Sequence, residues 1–135
     1  MELKSLAYTS RARLDLGEDD LRDIHQVARH LNALDGITGL LLFDGIRFMQ
    51  IIEGASEAID NLVGRLRADD RHSAFEIRDE RIVEARAFPG WSMELVRVSS
   101  GYKDAVTELA PILPERIPAS VRDLALAMAE ELGRD

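Results

Sequence analysis

A phenol and two carboxamides stand where their neighbours are apolar. The 135-residue chain has only two Asn and two Gln, so their placement invites a reason. Over Ile46 to Glu53, strand alternation puts Gln50 on one face with Ile46, Phe48 and Ile52, and Arg47, Met49, Ile51 and Glu53 on the other. An unpaired carboxamide on such a face costs on the order of 1–3 kcal/mol, so Gln50 calls for partners. Asn32 follows Leu31 at the edge of a helical apolar stripe, and Tyr8 sits in a first strand, where a buried phenol needs one hydrogen bond. Trp91 and Met93 alternate onto a common face of a later strand, and Asp69-Asp70-Arg71-His72 follows a helix. Taken singly, each has a plain account: Gln50 at a sheet edge, Asn32 in a fraying turn, Tyr8, Trp91 and Met93 in the core, Arg71-His72 in a solvated loop.

Other chemistries lack their residues. With no cysteine there is no disulfide, thiolate metal site, iron–sulfur cluster or Cys nucleophile. His25 and His30 are five apart and do not stack on one helix face, and His72 lies on a separate loop, so no metal site is expected. The chain holds no Gly-rich phosphate loop, nucleophile elbow or HExxH. A net charge of −8 denies it the basic footprint of a nucleic-acid binder and disfavours anionic membranes. The N-terminus has no apolar run of signal length, and Leu40 to Phe43 is far too short to span a bilayer, so a cytoplasmic protein is expected.

The elements that must position these residues follow from periodicity. Leu3 to Ser10 reads as a strand. The acidic stretch Asp15 to Asp20 suits a helix start, and Leu21, Ile24, Val27, Ala28 and Leu31 recur at helical spacing up to a C-terminal Gly36. Ile37 to Phe43 and Ile46 to Glu53 flank Asp44-Gly45, a hairpin signal of type I′, with Gly54 closing the hairpin. Ser56 is placed to cap a second helix carrying Ile59, Leu62, Val63 and Leu66. Phe75 to Ala87 and Trp91 to Val98 read as strands around a Pro89-Gly90 turn, and Tyr102 to Leu113 and Pro118 to Leu132 as helices. The order β-α-β-β-α-β-β predicts a ferredoxin-like α+β sheet with two helices on one face and two additional C-terminal helices on the other. The length is that of one domain, enough for a core and an internal pocket.

Together the spaced segments resemble a known family. They are Tyr8-Thr9-Ser10, Ala28-Arg29 before Asn32, Gly36-Ile37-Thr38-Gly39, Gln50-Ile51-Ile52-Glu53-Gly54, Asp69-Asp70-Arg71-His72 and Phe88-Pro89-Gly90-Trp91-Ser92-Met93. In this order, from about Leu3 to Leu95, they resemble the BLUF domain, the bacterial sensor of blue light that uses FAD. The chain is similar to the short, single-domain class, with a sensor core over 1–98 and a helical extension over 99–135 on the sheet.

The resemblance implies a blue-light photoreceptor, not an enzyme, holding a non-covalent flavin between its two helices: FAD first, with FMN or riboflavin as alternatives. By position, Tyr8 would give an electron and a proton to the excited flavin, and Gln50 would be the switch bridging Tyr8 and the flavin. Asn32 would hold the polar edge of the ring, and Ile24 and Leu66 would sandwich it. Arg65, Asp69, Arg71 and His72 would surround its edge or tail, and Trp91 and Met93 would relay the signal. Neutral glutamine suits a switch, since turning its amide rewires hydrogen bonds without moving charge. Ala28 departs from relatives that carry a hydroxyl there, which leaves Gln50 without a bond from that position. The lack of cysteine also rules out a cysteinyl–flavin adduct.

Two other readings stand beside this one. An acylphosphatase-like hydrolase would need an anion cradle after the first strand, where Arg11 to Gly17 offers no glycine-rich loop. A flavin-free interaction module would be colourless. A sensor without an output domain must signal through a downstream protein partner or a homo-oligomer, with no role for nucleic acid or membrane.

Overall fold

Both faces of every central strand carry apolar side chains, so the sheet must be covered on both sides. The computed structural model describes residues 2–97, 106–107, 109–115 and 117–132. Strands β1 (Leu3–Ala12), β2 (Thr38–Phe43), β3 (Arg47–Ala55), β4 (His72–Val83) and β5 (Glu94–Arg97) form one sheet in the order β4-β1-β3-β2-β5. Its pairings are antiparallel except β2 with β5, which is parallel. Helices α1 (Glu18–Leu34) and α2 (Ser56–Ala68) follow β1 and β3, and α3 (Ala119–Leu132) comes after a 3-10 turn at Ala110–Ile112. This is the expected ferredoxin-like α+β order.

The alternation sorts two cores. Leu6, Tyr8, Leu41, Phe48 and Ile52 meet Leu21 of α1 and Ile59 and Leu62 of α2. On the opposite face Ala7, Leu40, Leu42, Met49 and Ile51 meet Leu109, Leu113, Ile117, Val121, Ala125 and Met128. The described C-terminal elements thus cover the face away from α1 and α2; Val98, and Tyr102 to Ala105 and Glu108 of the expected Tyr102 to Leu113 helix, lie outside the described residues.

Several boundaries differ from the sequence reading, each for a local reason. The hairpin loop has three residues, because the Asp44 carboxylate accepts the Ile46 and Arg47 N–H groups at 2.9 and 2.7 Å. Only Gly45 takes a positive φ there, so the turn is not type I′. Gly54 does not end β3, which runs to Ala55, and Ser56 begins α2 as its first residue, its hydroxyl donating to Glu2 rather than capping. Strand β4 begins at His72, three residues early, and ends at Val83. Met93 takes φ +66, which breaks the alternation, so β5 starts only at Glu94.

Gly39 leaves no room for a side chain against β3. A Cβ built there would lie 2.0 Å from the Ile51 carbonyl oxygen, and its φ is +156°. Gly39→Ala is therefore expected to destabilise the fold by about 3 kcal/mol or more, because β2 and β3 must part. Chemical denaturation checks this; wild-type stability in that variant would contradict the approach.

Candidate functional site

Strand order explains Gln50. β3 is the middle strand of five, so Gln50 is not at a sheet edge; it is 4% exposed. Its partner across the β1–β3 ladder is Tyr8, and its partner on β2 is Leu41. The Tyr8 hydroxyl donates to Gln50 Oε1 at 2.5 Å, and Gln50 Nε2 donates to the Met93 sulfur at 2.9 Å. Burial, with a smaller contribution from the Asp69 charge, pushes the Tyr8 phenol well above its ordinary pKa. It stays protonated, and so remains a donor. Phe75 stacks on Tyr8 at 4.6 Å between ring centroids.

Trp91 and Met93 do not share a face. Met93 is buried in the α1/α2-side core beside Gln50, whereas Trp91 packs against the opposite core, 5.2 Å from the Phe88 ring. The positive φ of Met93 turns the chain between them. Alternation alone would put both on one side, so this expectation is corrected.

Above Tyr8 and Gln50, the wedge between α1 and α2 encloses a cavity of about 200 Å³, many times the room a water molecule needs. Ile24 and Asn32 of α1, Arg65 and Leu66 of α2, and Asp69, Arg71 and His72 of the following segment line it together with Tyr8 and Gln50. Every residue expected around a flavin thus borders one space. Ala28, expected beside the switch, borders it as well, and sequence reasoning missed Val27, Leu31, Leu41, Phe48 and Leu62, which border it too. The apolar stripe of α1 gave the signal for the first two: Val27 and Leu31 are 42% and 37% exposed, because the stripe faces the cavity rather than the sheet.

Asn32 is the informative polar group. It is 1% exposed, and neither its amide nitrogen nor its oxygen has a hydrogen-bond partner. Its place is no fraying turn: the Ile37 N–H bonds the Asn32 carbonyl at 2.7 Å. Leaving both carboxamide atoms unpaired would cost on the order of 1–3 kcal/mol each. A ligand edge presenting a donor beside an acceptor would satisfy both.

At the mouth, charges are held in pairs. Arg71 grips Asp69 with Nε and Nη2 at 3.0 and 2.8 Å and reaches Asp23 on α1 at 3.2 Å. The Arg71 guanidinium holds the Asp69 carboxyl below the usual carboxylate range. Arg65 meets Asp35 at 3.3 Å. His72 is not in a loop: at the start of β4 its ring bonds the Ser10 hydroxyl at 2.7 Å and the Leu66 carbonyl at 2.6 Å, tying β1, α2 and β4 together. Ser10 was the unrecognised partner here. Among the described residues no His, Asp and Glu grouping could hold a metal ion, and no helix is long and apolar enough to cross a membrane.

The BLUF family model, described as sensors of blue-light using FAD, matches residues 3–94. The chain belongs to the BLUF family. BlrB, a BLUF protein solved in its dark state, is 34% identical, with a TM-score of 0.75 over 97% of this chain and 98% of that one. Klebsiella pneumoniae BlrP1, solved with FMN and cyclic diGMP, is 27% identical with a TM-score of 0.77, over 96% of this chain and 35% of that one. The photoactivated adenylate cyclase subunit beta of Euglena gracilis is 31% identical over 80% of this chain, which spans only 13% of that protein's length.

BLUF proteins are flavin-using blue-light sensors, and the cavity fits such a group. It has a largely apolar wall for a planar ring, a phenol and a carboxamide on its floor, and an orphaned carboxamide on its side. Gln50 receives nothing from Ala28, and its partners are Tyr8 and Met93.

Proposed function

We propose that this chain is a blue-light receptor binding one flavin, FAD first with FMN or riboflavin as alternatives, non-covalently between α1 and α2. The Tyr8–Gln50–Met93 hydrogen-bond chain on the cavity floor carries this reading. Asn32 holds the polar edge of the ring, Ile24 and Leu66 flank it, and Arg65, Asp69, Arg71 and His72 surround its edge or tail. When bound, the flavin supplies blue-light absorption and an excited state that accepts an electron and a proton.

The chain's own residues do the rest. Tyr8 is the donor, its O–H already aimed at Gln50. Tautomerising the Gln50 amide would change which atoms carry its protons but leave its nitrogen on Met93, whereas turning it exchanges its donor and acceptor ends, in both cases without moving charge. Once the amide has turned, an oxygen faces the Met93 sulfur, which loses the N–H it accepts in the present arrangement. Loss of that bond frees the segment carrying Met93 and Trp91. Trp91 already touches the core built by the C-terminal elements, so the signal leaves through that face. In this reading residues 1–98 form the sensor core and 99–135 the relay to a protein partner or a second copy, and the chain performs no catalysis itself.

Denaturing the yellow protein and chromatographing the supernatant tests the binding. One released flavin per chain is expected, and its mobility identifies FAD, FMN or riboflavin. Pigment that stays on the chain, or a colourless protein that rejects all three, would contradict the proposal and favour a flavin-free interaction module.

A further inference from the structure

The segment 84–93 is tied to the sheet along its length, beginning with Arg86, whose guanidinium donates to the Thr38 hydroxyl of β2 and the Glu53 carbonyl of β3 at 2.9 and 3.1 Å. The carboxylate of Glu53, 1% exposed on β3, accepts the Ala87 and Phe88 N–H groups at 2.7 and 2.6 Å. The Gly39 N–H of β2 donates to the Trp91 carbonyl at 3.0 Å. Beyond these ties Met93 adopts φ +66, a conformation that a residue with a Cβ keeps only where its surroundings impose it. On that residue the backbone oxygen lies 2.9 Å from His25 Nε2 of α1. A carbonyl only accepts, so Nε2 carries the proton and donates. Met93 is therefore gripped from two sides: its sulfur by Gln50, its carbonyl by His25.

We propose that His25 is a positioning residue, a latch from α1 that holds the left-handed turn at Met93 and thereby keeps Met93 inward on Gln50 and Trp91 outward on Phe88. The inference rests on the light-switch reading above and deepens it. When the Gln50 amide turns and drops the sulfur, the His25 bond still favours the original arrangement. It therefore limits how far segment 84–93 moves and speeds its return. His25 contributes nothing to the cavity wall. Its influence on the switch passes through Met93.

Replacements that differ only in reach test the bond. The side-chain nitrogen of glutamine falls about where Nε2 does, while that of asparagine falls short, so His25→Gln keeps the latch and His25→Asn removes it. His25 is half-exposed on a helix, and circular dichroism verifies that each variant folds. Trp91 is the only tryptophan in the chain, so intrinsic fluorescence reports it alone. In the full chain as purified, His25→Asn is expected to add a second Trp91 fluorescence lifetime. After blue light, its dark recovery is expected to slow about three- to fivefold, the loss of one ordinary hydrogen bond. His25→Gln is expected to match the wild type in both. A His25→Asn protein with wild-type fluorescence and recovery would overturn the latch, as would His25→Gln changing as much as His25→Asn. If no flavin binds, or no light response occurs in the wild type, the light-switch reading fails; the Trp91 lifetimes of the three proteins still decide the latch.

Discussion

Gln50→Leu is expected to yield a protein that binds flavin but shows no light-induced red shift. Leucine keeps the volume, and the cavity walls from α1 and α2 are untouched. What disappears is the group that joins Tyr8 to Met93. The hydroxyl of buried Tyr8 is left without its acceptor, which is expected to lower stability by about 1–3 kcal/mol. The stability loss is read by chemical denaturation and the switching loss by light-minus-dark absorption. A normal photocycle in this variant would contradict the role assigned to Gln50.

Tyr8→Phe is expected to abolish the long-lived red-shifted state while leaving flavin bound. Phenylalanine preserves the shape that stacks on Phe75, but removes both the oxidisable hydroxyl and the bond that orients the Gln50 amide. Gln50 Oε1 then loses its donor while Nε2 keeps the Met93 sulfur, so the expected stability cost is smaller, about 1 kcal/mol. Combining Tyr8→Phe with Gln50→Leu should cost less than the two single losses together, because neither partner is left stranded. Trp91 lies on the far side of the sheet with Phe88, badly placed to substitute for Tyr8 as donor. A Tyr8→Phe protein that still forms the full red-shifted state would refute the mechanism.

The face on which Gln50 lies was legible, because a strand period of two needs nothing beyond the local sequence. That β3 is the central strand was not, since strand order is set by partners distant in the chain. The Tyr8–Gln50 pair depends on that order, its members standing 42 positions apart in the chain. Trp91 and Met93 defeated the alternation because Met93, a residue with a side chain, takes a positive φ that no sequence signal marks. The Asp44-Gly45 hairpin was visible, yet its loop grew by one residue because the Asp44 carboxylate organised the turn. The spacing of His25 from the other histidines speaks only against a metal site; its partner is a backbone carbonyl 68 residues on, which spacing does not reveal. Asn32 stands out by its type at the edge of the α1 stripe, but its burial depends on how α1 meets the sheet.

The most direct test is the absorption spectrum of the purified wild-type chain before, during and after blue light. Switching through Tyr8 and Gln50 predicts a flavin spectrum that shifts to the red as a whole and returns in the dark, without loss of the oxidised chromophore. A flavin-loaded chain whose spectrum stays unchanged, or only bleaches, would contradict it.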